Sequence, residues 1–276
     1  MNHLWDSHLH TSFSADSEVD PEEMLKKANE LSLMGITFTD HMDIDYPGDD
    51  PTEFELDIKE YLIYMTNLME VEAKNQHNTA FLVGMELGLQ PHLVEIHKSL
   101  VDTLPLDFVI GSIHVVNGMD PYYPSYYENK SGHEAYEEYY KCILENLNCF
   151  TEFDSLGHLD YITRYAKRHL SENESRYDMA EYKELIREIF RILIKKDIAL
   201  EVNTGAYRAD LNEPNPNFDT LRFYKECGGS FITIGADAHK VEHVGLHFDK
   251  ISDELKEIGF KEYAIFQKRK PSLFPL

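Results

Sequence analysis

Short apolar runs alternate along this chain with longer segments whose apolar positions recur every three or four residues. The short runs predict strands at Leu4–His8, Ile36–Asp40, Ala80–Glu86, Phe108–His114, Ser155–His158, Ile198–Asn203 and Phe231–Asp237. Several are apolar throughout, as strands covered on both faces are. A further run, Tyr263–Phe266, is placed to close the sheet. Between the runs lie amphipathic helical patterns. In Met179–Lys196, residues Tyr182, Leu185, Ile186, Ile189, Phe190, Leu193 and Ile194 form one stripe with charges opposite. In Phe54–Lys74 the stripe is Ile58, Tyr61, Leu62, Met65, Leu68 and Met69. Asp20-Pro21-Glu22-Glu23 reads as an N-cap, a proline at the first helical position and acids in the first turn. Gly35 is expected to close that helix ahead of the second strand.

Strand–helix alternation of this kind means a parallel sheet. No glycine-rich phosphate loop follows the first strand, which favours a closed barrel over a doubly wound sheet. The length, 276 residues at 42% hydrophobic, suits one large α/β domain as well as two small ones. No internal repeat, low-complexity tract or linker divides it, so a single domain over 1–276 is expected. Met119–Gly132 reads as a tyrosine-rich loop, either a cover for substrate or packed surface.

The net charge is −24. Such a surface repels polyanions and anionic bilayers, so no nucleic-acid or membrane partner is expected. The densest basic run, Lys268-Arg269-Lys270, is short. No apolar stretch reaches the ~20 residues that span a bilayer, and the first residues lack a signal-peptide pattern. Cys142, Cys149 and Cys227 form no CxxC pair and read as reduced thiols. A cytoplasmic protein is expected; its oligomeric state is not legible.

Position is the informative feature of the polar residues. The predicted strands end in His8-Leu9-His10, Thr39-Asp40-His41, Glu86, His114, Gly157-His158-Leu159-Asp160, Glu201 with Asn203, and Asp237-Ala238-His239. In a β/α barrel those ends converge on one face. His8 and His10, two apart on a strand, point to the same side and suit one cation. One such pair carries little weight, because HxH arises by chance. The whole set is hard to explain as structure, since buried charges are costly unless paired or metal-bound. Imidazoles and carboxylates without thiolate suit zinc, manganese or iron, among which the sequence does not choose.

These motifs, with the stretch His8–Asp16 (HLHTSFSAD), Gly84-Met85-Glu86, Gly111-Ser112-Ile113-His114, Glu201-Val202-Asn203-Thr204-Gly205 and Gly235-Ala236-Asp237-Ala238-His239, resemble those of the PHP (polymerase and histidinol phosphatase) family. The similarity is strongest to its histidinol-phosphate phosphatase branch. It implies a distorted TIM-like (β/α)7 barrel holding three divalent cations. Carried over, the first takes His8, His10, Glu86 and Asp237; the second takes Glu86, His114 and His158, with Glu86 bridging; the third takes Asp16, His41 and His239. Some members have histidine where Asp16 stands, and an aspartate still ligates. Three carboxylates against three divalent ions leave a positive pocket that attracts phosphate. The implied reaction is metal-dependent hydrolysis of a small phosphate monoester, L-histidinol phosphate, by in-line attack of a hydroxide bridging two metals.

The branch also carries arginines that grip phosphate. Arg164 and Arg208 are placed for this, the alternative being surface arginines in loops. His243 is a candidate proton donor to the leaving alkoxide, or a surface histidine. Glu86, His243 and Asp160 are thus the candidate catalytic groups. Asp40 and Asp160 are expected to orient ligand histidines. Ser12 and Ser14 are expected to bond substrate or fix their loop. His3, His77, His92, His97, His133, His169 and His247 are read as solvated. Three other readings compete with this one. A phosphodiesterase or exonuclease of the same family needs a basic track that the charge opposes. An amidohydrolase-type C–N hydrolase commonly bridges its metals with a modified lysine at a middle strand end, where this chain has Glu86 and His114. A non-catalytic binding protein on a decayed scaffold would have lost ligands, and none is missing.

Overall fold

A computed structural model describes residues 4–75, 79–209 and 211–276. His3 and His77 lie outside the described residues. The strands are β1 (Trp5–Leu9), β2 (Gly35–Phe38), β3 (His41–Met42), β4 (Ala80–Gly88), β5 (Phe108–Ser112), β6 (Ser155–Leu156), β7 (Ala199–Asn203), β8 (Ile232–Gly235), β9 (Glu262–Gln267) and β10 (Lys270–Pro275). The helices are α1 (Pro21–Glu30), α2 (Ile58–Asn75), α3 (Val94–Thr103), α4 (Gly132–Cys149), α5 (Thr163–His169), α6 (Lys183–Lys196), α7 (Phe218–Glu226) and α8 (Phe248–Ile258). None of the described helices is long and apolar enough to cross a membrane.

The order β1-β2-β4-β5-β6-β7-β8 is parallel throughout, and the short β3 also pairs with β4. The first and last strands then meet. Leu9 bridges Ala238 in parallel, His10 N donates to Ala238 O at 2.8 Å and Asp237 N donates to His8 O at 2.7 Å. The sheet is a nearly closed α/β barrel of the expected class. Every residue of β1, β2, β5, β7 and β8 is buried, which explains their lack of alternation.

Tyr263–Phe266 does not close this sheet. It lies in β9, which pairs antiparallel with β10. Ala264 and Phe266 pack on Phe108, Ile110 and Ala199, and Tyr263 Oη accepts from Trp5 N at 3.0 Å. These partners stand at or near strand starts, so the hairpin plugs the N-terminal mouth. That leaves the opposite mouth for chemistry.

Asp20 caps α1 as expected, accepting from Glu22 N at 3.0 Å. Gly35 does not end that helix. α1 stops at Glu30, Ser32 takes the left-handed turn (φ 57°), and Gly35 opens β2. A Cβ on Gly35 would lie 2.1 Å from the Trp5 ring, so glycine serves close packing here. The stripe over Met179–Lys196 splits into a 3-10 turn, Met179–Tyr182, and α6, with Ile194 left exposed. His92 and His133 are exposed and His169 and His247 half-buried, but His97, on α3, is only 1% exposed. Its place on the core-facing side of α3, against Phe150, overrides its polarity.

Candidate metal centre

The metal-ligand residue types meet at the C-terminal mouth, because parallel strands place their ends side by side. Glu86 sits in the middle, buried on β4. Its Oε2 lies 3.2 Å from His8 Nε2 and 3.3 Å from His10 Nε2. Its Oε1 lies 2.8 Å from His158 Nε2 and 3.3 Å from His114 Nε2. One carboxylate thus faces two separate histidine pairs. Asp237 Oδ1 lies 3.5 Å from His10 Nε2 and 3.9 Å from His8 Nε2. Asp16 Oδ2 lies 3.0 Å from His239 Nε2 and 3.7 Å from His41 Nε2. All nine candidate ligands, His8, His10, Asp16, His41, Glu86, His114, His158, Asp237 and His239, are gathered here.

The arrangement fits cations. Among the described residues, three groupings bring ligand atoms within 4.8 Å of one another: His10 with His41 and His239, His8 with His10 and Glu86, and His41 with Glu86 and His114. Glu86 Oε2 and His41 Nδ1 are buried without a hydrogen-bond partner although they lie 3.1 Å apart. Glu86 Oε2 is thus a buried acceptor left unfilled among the described residues, as a carboxylate oxygen that takes a cation is.

The outer contacts differ from expectation. Glu201 Oε1 lies 2.6 Å from His8 Nδ1, and Glu201 Oε2 accepts from His158 N at 2.7 Å. Asp43 Oδ1 lies 2.8 Å from His114 Nδ1 and Asp43 Oδ2 3.1 Å from His41 Nδ1. These two carboxylates hold the rings of His8 and His114. Asp40 and Asp160 do not touch them. Asp40 accepts from Thr11 N at 2.6 Å and from Ser14 Oγ at 2.8 Å; Ser14 Oγ in turn lies 3.1 Å from His10 Nδ1. Asp160 accepts from Asn215 Nδ2 and, at 3.1 Å, from Asn217 N, leaving His158 Nδ1 without a partner. Neighbouring positions on extended backbone point to opposite faces, so proximity in sequence misled for Asp40.

The centre opens into a cavity of about 420 Å³. Arg164, Arg208 and His243 line it; Ser12 and Asp160 do not. Ser12 is exposed, its backbone N donating to Val19 O, and the Ser14 hydroxyl lies against His10 Nδ1. Arg164 is 8% exposed and donates from Nε to Asn215 Oδ1 (2.7 Å), from Nη1 to Asp237 Oδ2 (2.7 Å) and from Nη2 to Asn203 Oδ1 (2.8 Å). Arg208 donates to Ala236 O at 2.8 Å and Asp237 O at 2.7 Å. Sequence reasoning missed Tyr46, Phe54, Asp120, Tyr161 and Tyr165 in the wall. From the tyrosine-rich loop, Tyr122 and Tyr123 reach the cavity while Tyr126 and Tyr127 are buried in the core. Asp120 Oδ2 accepts from Tyr46 Oη at 2.6 Å.

Electrostatics follow from the crowding. Burial alone would raise the Glu86 carboxyl, but His8, His114 and His41 hold it well below the usual range. Burial likewise opposes ionisation of Asp237, and Arg164 and His8 overcome it. Asp43 sits near 2, burial being outweighed by His114 and His41. Asp160 is pushed up to about 6 by burial. Burial, then Arg208, lowers His243.

The model of the PHP domain matches residues 6–205. A Clostridium acetobutylicum protein named "probable histidinol-phosphatase" is 35% identical over 269 residues, covering 96% of this chain and 98% of that one. A crystal structure of histidinol phosphate phosphatase from Lactococcus lactis, complexed with zinc, L-histidinol and phosphate, superposes with a TM-score of 0.87. It is 32% identical and covers 98% of this chain and 99% of that one. A Listeria monocytogenes structure with a TM-score of 0.74 at 16% identity shares the fold.

Proposed function

The chain belongs to the PHP domain family, and on that footing we propose that it is a metal-dependent phosphomonoesterase that hydrolyses L-histidinol phosphate to L-histidinol and phosphate. The observation that carries this reading is the split use of Glu86. Its two oxygens face His8 with His10 on one side and His114 with His158 on the other. A carboxylate so placed bridges two cations. The full-length likeness to the Lactococcus lactis enzyme, whose structure holds zinc, L-histidinol and phosphate, supports the substrate.

The proposed ligand sets are the ones the family resemblance implies: His8, His10, Glu86 and Asp237; Glu86, His114 and His158; Asp16, His41 and His239. Three divalent cations held there, zinc foremost, supply water activation and neutralise phosphate charge. The chain's own groups do the rest. Three of the five N–H donors of a guanidinium are used by Arg164 within the protein. The remaining two are free for phosphate oxygens. Arg208, tethered to the carbonyls of Ala236 and Asp237, offers its outer donors to the same anion. His243, a few residues beyond His239, lines the cavity and in its protonated form is placed to supply the leaving alkoxide. Asp120 and the tyrosines suit the cationic, aromatic end of histidinol. A cavity of about 420 Å³ suits a small monoester.

Phosphate release from histidinol phosphate, from other small monoesters and from a dinucleotide, with and without chelator, tests this. Release from histidinol phosphate alone, abolished by chelator and restored by zinc, is expected. Preference for the dinucleotide would overturn the reading.

A further inference from the structure

Asn215 belongs to none of the strand-end motifs. It lies between β7 and α7 and is 1% exposed. Its backbone pairs with Asn203 both ways: Asn203 N donates to Asn215 O at 2.8 Å and Asn215 N to Asn203 O at 2.9 Å. That bridge sets the Asn215 side chain beside Arg164. Oδ1 accepts from Arg164 Nε at 2.7 Å, and Nδ2 donates to Asp160 Oδ1 and, at 3.1 Å, to Thr163 Oγ1.

The chemistry allows only this orientation. A guanidinium solely donates and an ionised carboxylate solely accepts. An amide between them must turn its oxygen to Arg164 and its nitrogen to Asp160. Asp160 is itself fixed, its Oδ2 accepting from Asn217 N at 3.1 Å. Asp160 and Asn215 are each 1% exposed, so water does not compete for these bonds. Asn203 and Asp237 hold the other two guanidinium nitrogens.

The geometry points to Asn215, backed by Asp160, as the positioning residue that sets the plane of the Arg164 guanidinium and so aims its free donors at the phosphate. This rests on Arg164 being a phosphate-binding group, as proposed above. Asn215 itself touches neither substrate nor metal ligand, and acts through Arg164.

A double-mutant cycle tests it, read by calorimetric binding of inorganic phosphate to the metal-loaded protein, with metal content and steady-state constants alongside. Asn215→Ala is expected to weaken phosphate binding by about tenfold or more, to raise KM more than it lowers kcat, and to leave metal content unchanged. On an Arg164→Ala background it is expected to have no further effect. Asn215→Asp sets a carboxylate against Asp160 and is expected to weaken binding too. Adding Asp160→Asn to it restores a donor facing an acceptor and is expected to recover part of the loss. The idea is overturned by a full effect of Asn215→Ala without Arg164, by loss of metal, or by failure of the paired variant to recover binding. Phosphate binding decides this even if wild-type protein leaves histidinol phosphate intact, an outcome that would remove the substrate proposal alone.

Discussion

Glu201 Oε1 lies 2.6 Å from His8 Nδ1, and this contact decides which nitrogen of His8 faces the centre. A buried carboxylate needs a donor, so Nδ1 carries the proton and Nε2 presents its lone pair toward Glu86 and His10. Glu201→Gln is expected to lower metal affinity by about tenfold to a hundredfold. Titration of the metal-free protein with zinc measures it; unchanged affinity would show that His8 orients itself.

Glu86→Gln replaces the carboxylate shared by both histidine pairs with a neutral amide. Turnover is expected to fall by about a hundredfold or more, with less bound metal per chain by elemental analysis. Near-normal turnover with full metal content would remove the bridging role.

Gly205 follows Asn203 on the turn that carries Arg208. A Cβ there would lie 2.8 Å from Asn203 Oδ1 and 2.9 Å from Arg208 Nη2. Gly205→Ala must therefore displace one of them. A raised KM with a smaller change in kcat is expected. Gly48→Ala, whose Cβ would meet nothing within 4 Å, serves as the control and should behave as wild type.

His97 makes stability depend on pH. Burial lowers it from 6.5 to about 4, and its Nε2 has no hydrogen-bond partner. Its folded pKa lies below its unfolded one, so the unfolded chain binds the extra proton between those values. Its contribution is present above about pH 6.5 and is lost as pH falls toward 4. Between pH 7 and 4.5 the loss is on the order of 2 kcal/mol. Denaturant melts of wild type and His97→Leu at the two pH values measure it. The drop in stability is expected to be smaller in the variant by about that amount; equal drops would show that His97 titrates normally in the fold.

His8, His10, Glu86, His114, His158, Asp237 and His239 were visible in the sequence because each stands at or just beyond the end of an apolar run, and parallel strands bring their ends together. His41 was visible in the same way, at the end of Thr39-Asp40-His41, whereas Asp16, in the loop beyond β1, needed the family motifs. Glu201 was visible as a strand end, yet not as the partner of His8. Asp43 and Asn215 gave no signal, since each acts across loops whose paths depend on the closed barrel. Asp40 and Asp160 drew notice only as neighbours of histidines, and backbone direction turned them elsewhere. Tyr263–Phe266 has the composition of a barrel strand, but β1 and β8 had already met through Leu9 and Ala238.

The amino-acid order by itself determined the seven main strands of the barrel, that they run parallel, and which side chains stand at their ends, because periodicity and local backbone preference act over a few residues. Only the folded chain decided which nitrogen each imidazole offers, which carboxylates hold those rings, and how the Arg164 guanidinium is turned. Those outcomes depend on contacts between residues as far apart as His8 and Glu201, and such contacts exist only once the barrel has closed.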